Sequence, residues 1–154
     1  GEYIVEDNEY GRNILTIKCS LNIVGSPDVL DKSNIIVVGG FEIGKNINGN
    51  VHLEHITIRQ SKESGVIGDS SFTLNDIIIE QCGGSGVCAF GSSAVARCNN
   101  IIVRQCGLSG VLASSGGSII IDGTETSIHE NCNENCKNRS KEIYHIGYYK
   151  NKFT

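Results

Sequence analysis

Methionine and tryptophan are absent from this 154-residue chain, proline occurs once, at Pro27, and leucine only 7 times. Against those leucines stand 22 isoleucines and 11 valines. β-Branched side chains lose rotamer freedom in a helix and pack well on a pleated surface, so a helical bundle is excluded and strands should dominate. Long apolar runs are missing too: stretches such as Ile35–Val38 fall far short of the roughly 20 residues of a membrane helix. Nor is there an excess of positive charge, since 13 Lys and Arg against 17 Asp and Glu give a net charge of −4. Without a basic cluster outside the last stretch to neutralise phosphates, nucleic-acid binding is disfavoured. The first residues, Gly1–Asp7, lack a basic region followed by an apolar one, so no signal peptide is visible, and the segment reads as excised from a longer protein.

What is present is glycine, 19 residues of it, with 15 asparagines, a supply suited to many tight bends in left-handed backbone conformations. The chain also repeats itself. Ile77-Ile78-Ile79-Glu80-Gln81-Cys82-Gly83-Gly84-Ser85-Gly86-Val87 recurs 24 residues later as Ile101-Ile102-Val103-Arg104-Gln105-Cys106-Gly107-Leu108-Ser109-Gly110-Val111. The same frame stands 21 residues earlier at Ile56–Val66, and 26 residues later Ser127–Cys132 keeps its aliphatic, Glu and Cys positions. Asn34–Gly40 sits 21 before His55, and Ile14–Cys19 is a weaker copy. Short β-rich runs at this period suit the coils of a parallel β-helix, each coil adding one strand to each of several sheets. Leucine-rich repeats share the period but need a leucine skeleton, and helical repeats are longer. The expectation is one all-β domain over residues 1–154 with five to seven coils, clearest over 34–132, and with 133–154 as a C-terminal cap or tail.

Alternation along the repeat sets which side chains point out. With Ile56 and Ile58 inward, the outward sets become His55, Thr57, Arg59; Asp76, Ile78, Glu80; Asn100, Ile102, Arg104; and Thr126, Ile128, Glu130. At the strand spacing of about 4.8 Å, Arg59, Glu80, Arg104 and Glu130 form a column alternating in sign. Beside it runs the stripe Thr57, Ile78, Ile102 and Ile128, aliphatic where a solvated sheet should be polar, which needs a cover: the tail, a second copy of the chain, which makes an oligomer an option, or a ligand.

On these residues, and on the phrase from Ile77 to Gly91 in particular, the sequence resembles the right-handed parallel β-helix proteins of pectate-lyase-like architecture, and among them the short β-helix domains of large algal viruses and some microalgae. The resemblance implies a single-stranded right-handed coil, a polysaccharide partner, a task in breaching a cell wall, and a virion-associated or extracellular setting. It does not bring catalytic residues with it. The Asn-Thr-Asp, Asp-Asp and Gly-His-Gly strings of polygalacturonase-type enzymes do not occur, and Pro27 has no arginine or acidic calcium cluster beside it.

The candidate site is therefore argued from position. A lyase on an acidic sugar needs a cation against the carboxylate and a base for the α-proton. Arg59 and Arg104 suit the first role and a neighbouring His, Lys or Tyr the second. A hydrolase needs two carboxylates, and Glu80 and Glu130, two coils apart, would lie about 9.6 Å from each other, at the upper end of the roughly 6.5–9.5 Å of inverting enzymes. His55 and Asp76, one coil apart, form a candidate proton-transfer pair. Each has a structural alternative: the charges as a register-holding ladder, His55 and Asp76 as solvated turn residues, the whole as a non-catalytic glycan-binding or virion-structural module. His129 falls inward in this register.

Cys82, Cys106 and Cys132 line up above Ser61 as compact inward residues. Zinc held by Cys132, Cys136, His129 and His145 has only a Cys-x-x-x-Cys spacing behind it, and calcium is an option without a motif. Tyr144, Tyr148 and Tyr149, among Lys137, Arg139, Lys141, Lys150 and Lys152, could stack on sugar rings or belong to a cap that closes an open sheet edge.

Overall fold

The computed structural model describes residues 1–132 and the backbone of 146–148. The chain winds as a parallel β-solenoid of about five turns. The first coil contains β1 (Glu2–Ile4), β2 (Ile14–Ile17) and β3 (Leu21–Val24), and the second β4 (Ile36–Val38), β5 (Gly40–Ile43) and β6 (Val51–Glu54). The third is β7 (Thr57–Arg59), β8 (Val66–Gly68) and β9 (Phe72–Asn75), and the fourth β10 (Ile78–Glu80), β11 (Val87–Phe90) and β12 (Val95–Asn99). The fifth is β13 (Ile102–Arg104), β14 (Val111–Ser114) and β15 (Ser118–Asp122), followed by β16 (Ser127–His129) and β17 (Ile146–Tyr148). Through β16 every third strand stacks in parallel, and β17 stacks on β15, giving sheet A (β1-β4-β7-β10-β13-β16), sheet B (β2-β5-β8-β11-β14) and sheet C (β3-β6-β9-β12-β15-β17). Among the described residues no helix is long and apolar enough to cross a membrane.

Strand alternation produces the core. In sheet A the inward column is Tyr3, Val37, Ile58, Ile79, Val103 and Ile128. Sheet B contributes Leu15, Phe41, Val66, Val87 and Val111, and sheet C contributes Ile23, Leu53, Leu74, Cys98 and Ile121. Ile58, Ile79, Val66, Val87 and Leu53 are completely buried. Burying one such side chain contributes about 1.5–3 kcal/mol, against about 0.2–1 kcal/mol for an exposed ion pair, so the aliphatic columns and not the surface charges hold the coils together.

Two single-residue bends turn each of the third to fifth coils. His55, Asp76 and Asn100, at φ 54, 53 and 51, lead from sheet C into sheet A. Gln60, Gln81, Gln105 and Glu130, at φ 55, 56, 57 and 54, lead out of it. The Ser-Gly-Val signature has a steric cause: a Cβ on Gly86 would stand 2.2 Å from Val103 Cγ1 and 2.5 Å from the Gly110 carbonyl oxygen. Only glycine lets the next coil approach that closely.

Three expectations are corrected. Ile14–Ile17 belongs to sheet B, and the first strand of sheet A is Glu2–Ile4. The last repeat is offset by 25, not 26: Ile102, Val103 and Arg104 pair with Ser127, Ile128 and His129. His129 therefore points outward and Ile128 inward, and Ile128, the last member of its column among the described residues, is 37% exposed. Cys132 accordingly leaves the cysteine column and its place falls to Asn131, whose Oδ1 accepts from the Cys106 N–H at 3.0 Å while Nδ2 donates to the Val103 carbonyl at 3.0 Å.

Candidate functional site

Sheet A presents the charges that the repeat placed outward. Arg59, Glu80 and Arg104 stand in adjacent register on β7, β10 and β13, and the fourth member is His129, not Glu130. Glu130 occupies the left-handed bend above Gln105, whose N–H donates to the Glu130 carbonyl at 3.0 Å. The charges pair in twos. Arg104 donates from Nε at 3.0 Å and from Nη2 at 2.8 Å to the same Glu80 oxygen, and Arg59 donates to Glu2 at 2.6 Å. His129 is exposed, with Nδ1 2.9 Å from Ser127 Oγ.

His55 and Asp76 meet as the column predicts, Nδ1 lying 2.6 Å from Asp76 Oδ2. The other ring nitrogen is also taken, because Nε2 lies 2.7 Å from the Val29 carbonyl. Two acceptors on one imidazole favour its charged form. The Val29 carbonyl first and then Asp76 raise the His55 pKa above its ordinary value. Burial works against ionisation of Asp76, but hydrogen bonds from Lys32 and His55 outweigh it and hold the carboxyl below the usual range. His55 is thus a clamp with no free nitrogen to act as a base.

The clamp fastens a segment that sequence reasoning missed. Residues 25–35 cross the sheet A corner as a strap containing a short 3-10 helix, Lys32–Asn34, which Asp31 caps by accepting from the Ser33 N–H at 2.9 Å. Thr57 donates its hydroxyl proton to the Lys32 carbonyl at 2.9 Å and is buried. The aliphatic stripe therefore begins beneath the chain's own strap, which was not among the covers expected. Ile78 is buried and Ile102 half-buried.

Ser61, Cys82 and Cys106 form the buried column expected. Hydrogen bonding to Cys106 and burial raise the Cys82 thiol pKa, and burial pushes Cys98 up to about 12. Cys82 and Cys98 are protonated packing residues, whereas hydrogen bonding with Cys82 outweighs burial and lowers the pKa of Cys106, the buried neighbour that packs in the same column. Cys132 is disulfide-bonded, which withdraws it from the proposed zinc set. Among the described residues no group of three or more His, Cys, Asp or Glu side chains could hold a metal ion. Cys136, His145, Tyr144, Tyr149 and the five tail cations lie outside the described residues. Tyr148 is described only as backbone, paired with Ile121. Also missed was a polar network on the outer face of sheet C around His52, whose signal was a histidine 21 residues before Thr73, the spacing that joins His55 to Asp76.

Comparison with known protein families, with curated proteins and with solved structures finds no match.

Proposed function

We propose that the chain degrades a cell-wall polysaccharide as a lyase acting on a uronate-containing glycan along the outer face of sheet A. The observation that carries this reading is the juxtaposition of Arg104 and His129, directly paired across adjacent coils on the outward side. The guanidinium neutralises the uronate carboxylate, which acidifies the neighbouring C–H. The imidazole takes that proton, and the electron pair forms the double bond as the glycosidic oxygen leaves and is protonated by water. Glu80 positions Arg104 by accepting from both Nε and Nη2. Arg59 offers a second cation two coils away, suited to the next uronate along a polymer, and Ile102, beside Arg104 on the same strand, an apolar contact. The right-handed pectate-lyase-like architecture and the virion-associated or extracellular setting belong to this proposal.

A second reading, a non-catalytic glycan-binding or virion-structural module, draws support from the pairing of charges within the chain: Arg59 with Glu2, Arg104 with Glu80, His55 with Asp76. A hydrolase using Glu80 and Glu130 has less behind it, because Glu130 lies outside the column. The test incubates the protein with algal wall preparations and follows reducing ends together with the ultraviolet absorbance of unsaturated uronates. Both signals rising is the expected result. Reducing ends alone indicate a hydrolase, and neither signal, with the protein retained on the wall, indicates a binder. For a lyase, Arg104→Ala lowers turnover by about a hundredfold or more with a small change in melting temperature. A structural ladder gives the reverse, lost stability with the rate per folded molecule intact.

A further inference from the structure

Sheet C carries a second polar cluster on its outer face. His52 of β6 pairs in register with Thr73 of β9, and Thr73 in turn with Arg97 of β12. The imidazole makes two short contacts: Nδ1 lies 2.6 Å from Thr73 Oγ1 and Nε2 lies 2.8 Å from Glu54 Oε2. An ionised carboxylate can only accept, so in the neutral ring the proton sits on Nε2 and Nδ1 presents its lone pair to the threonine hydroxyl. The surrounding amides agree with that direction. Asn50 Nδ2 donates to Thr73 Oγ1 at 3.0 Å, which leaves the hydroxyl proton to point at His52. Asn75 Nδ2 donates to Glu54 Oε1 at 2.9 Å, and Asn99 Nδ2 to Asn75 Oδ1 at 2.8 Å. The His52 hydrogen bond, with help from Asn75, holds the Glu54 carboxyl below its ordinary range and so ionised.

The contacts His52–Thr73, Glu54–Asn75 and Asn75–Asn99 each join one coil to the next and hold register. The His52–Glu54 contact joins two residues of the same strand and fixes no register. Its effect is to set the tautomer and plane of a ring that faces a hydroxyl. Those are the three parts that activate a weak nucleophile: hydroxyl, base, and a group orienting the base.

We propose that Thr73, His52 and Glu54 form a hydroxyl-nucleophile site for acyl transfer from carboxylic esters. Thr73 Oγ1 attacks the ester carbonyl carbon while its proton passes to His52 Nδ1. The Asn50 amide, which already donates to Thr73 Oγ1, is the donor beside the forming oxyanion. The intermediate collapses, the C–O bond to the alcohol breaks, and the alcohol leaves with the proton from His52. Water then attacks the acyl-threonine, His52 takes its proton and returns it to Thr73 Oγ1, and the carboxylic acid departs. Ester and water become acid and alcohol with no other co-reactant. His52 and Glu54 side chains are 25% and 36% exposed, so an ester reaches the site without any opening of the fold. The site lies on a different sheet from the proposed lyase face and stands or falls independently of it.

The test uses p-nitrophenyl acetate with the whole chain. Expected are nitrophenolate release faster than by free imidazole at equal concentration, and, after rapid acid quench, an acetyl group located by mass spectrometry on Thr73. Thr73→Val and His52→Gln each lower the rate about 100-fold or more, and Thr73→Ser restores it. Glu54→Gln, which removes only the positioning carboxylate, lowers kcat with KM unchanged. A wild-type rate no greater than free imidazole, acetyl label confined to other residues, or full activity in Thr73→Val overturns the proposal. The wild-type rate and labelling decide the matter even where a variant fails to fold.

Discussion

His55 ties three pieces of chain together through one ring, so its protonation state has a consequence that can be measured. With its pKa raised in the folded protein, the imidazolium binds its proton more tightly there than in the unfolded chain. The stabilisation is complete below the unfolded value of about 6.5 and is lost as pH rises through the higher folded value. Asp76 behaves oppositely: with its pKa lowered, it stabilises above the unfolded carboxylate value and loses that contribution as pH falls through the folded one. Urea midpoints measured from about pH 6 to about pH 9 are expected to fall with rising pH in the wild type. In His55→Gln the fall is absent. Protection of the amides of residues 26–31, taken relative to their intrinsic base-catalysed rates and compared with His55→Gln, should fall over the same range, because Val29 loses a donor while Lys32 still holds Asp76. At this scale the sequence was informative only where chemistry repeats at coil spacing. The meeting of His55 with Asp76 could be read from a 21-residue interval, but the Val29 carbonyl on the opposite nitrogen could not, because backbone acceptors leave no mark in a sequence.

At the scale of strands and bends, the coils with intact Ser-Gly-Val were legible because steric contact enforces the glycine and burial enforces the aliphatic alternation. Where those constraints lapse, so did the reading. Ser127–Cys132 retains Glu and Cys but lacks the glycine that pins the register, and matching Cys132 to Cys106 shifted the strand by one residue, which turned His129 from an outward residue into an inward one. The strap has no periodicity, and its anchors Thr57 and Asp76 lie 25 and 44 residues from Lys32. Sheet B shows how bulk is exchanged between neighbouring elements. Gly68 occupies a position filled by Ile43 below and Ala89 above, since a Cβ there would stand 2.4 Å from Phe72 Cε1. Phe72 is fully buried and has nowhere to retreat. Gly68→Ala should cost about 1–3 kcal/mol by overpacking, read as a lower urea midpoint. Phe72→Leu in the same background should recover part of the loss by yielding the space.

The whole molecule is a stack in which each coil touches only its neighbours, so its stability is approximately a sum of coil terms and interfaces. The first coil of this stack differs from its middle. At the amino-terminal end the core columns finish in Tyr3, 60% exposed, and Leu15, 38% exposed, and the opening is a cavity of about 520 Å³ also lined by Ile23, Val29 and Phe41. In the third and fourth coils the equivalent positions, Ile58, Ile79, Val66 and Val87, are completely enclosed. Protection should therefore follow position along the axis rather than residue type. Removing a side chain from a closed column leaves a void that neighbouring coils above and below cannot fill, so Phe72→Ala should cost about 3–5 kcal/mol. Tyr3 already faces the opening, and Tyr3→Ala should change the urea midpoint by well under half as much. Native-state amide exchange is expected to be slowest in β8 to β11 and to quicken toward β1. Equal protection from end to end, or equal costs for the two substitutions, would mean that the stack unfolds as one cooperative unit despite its nearest-neighbour construction.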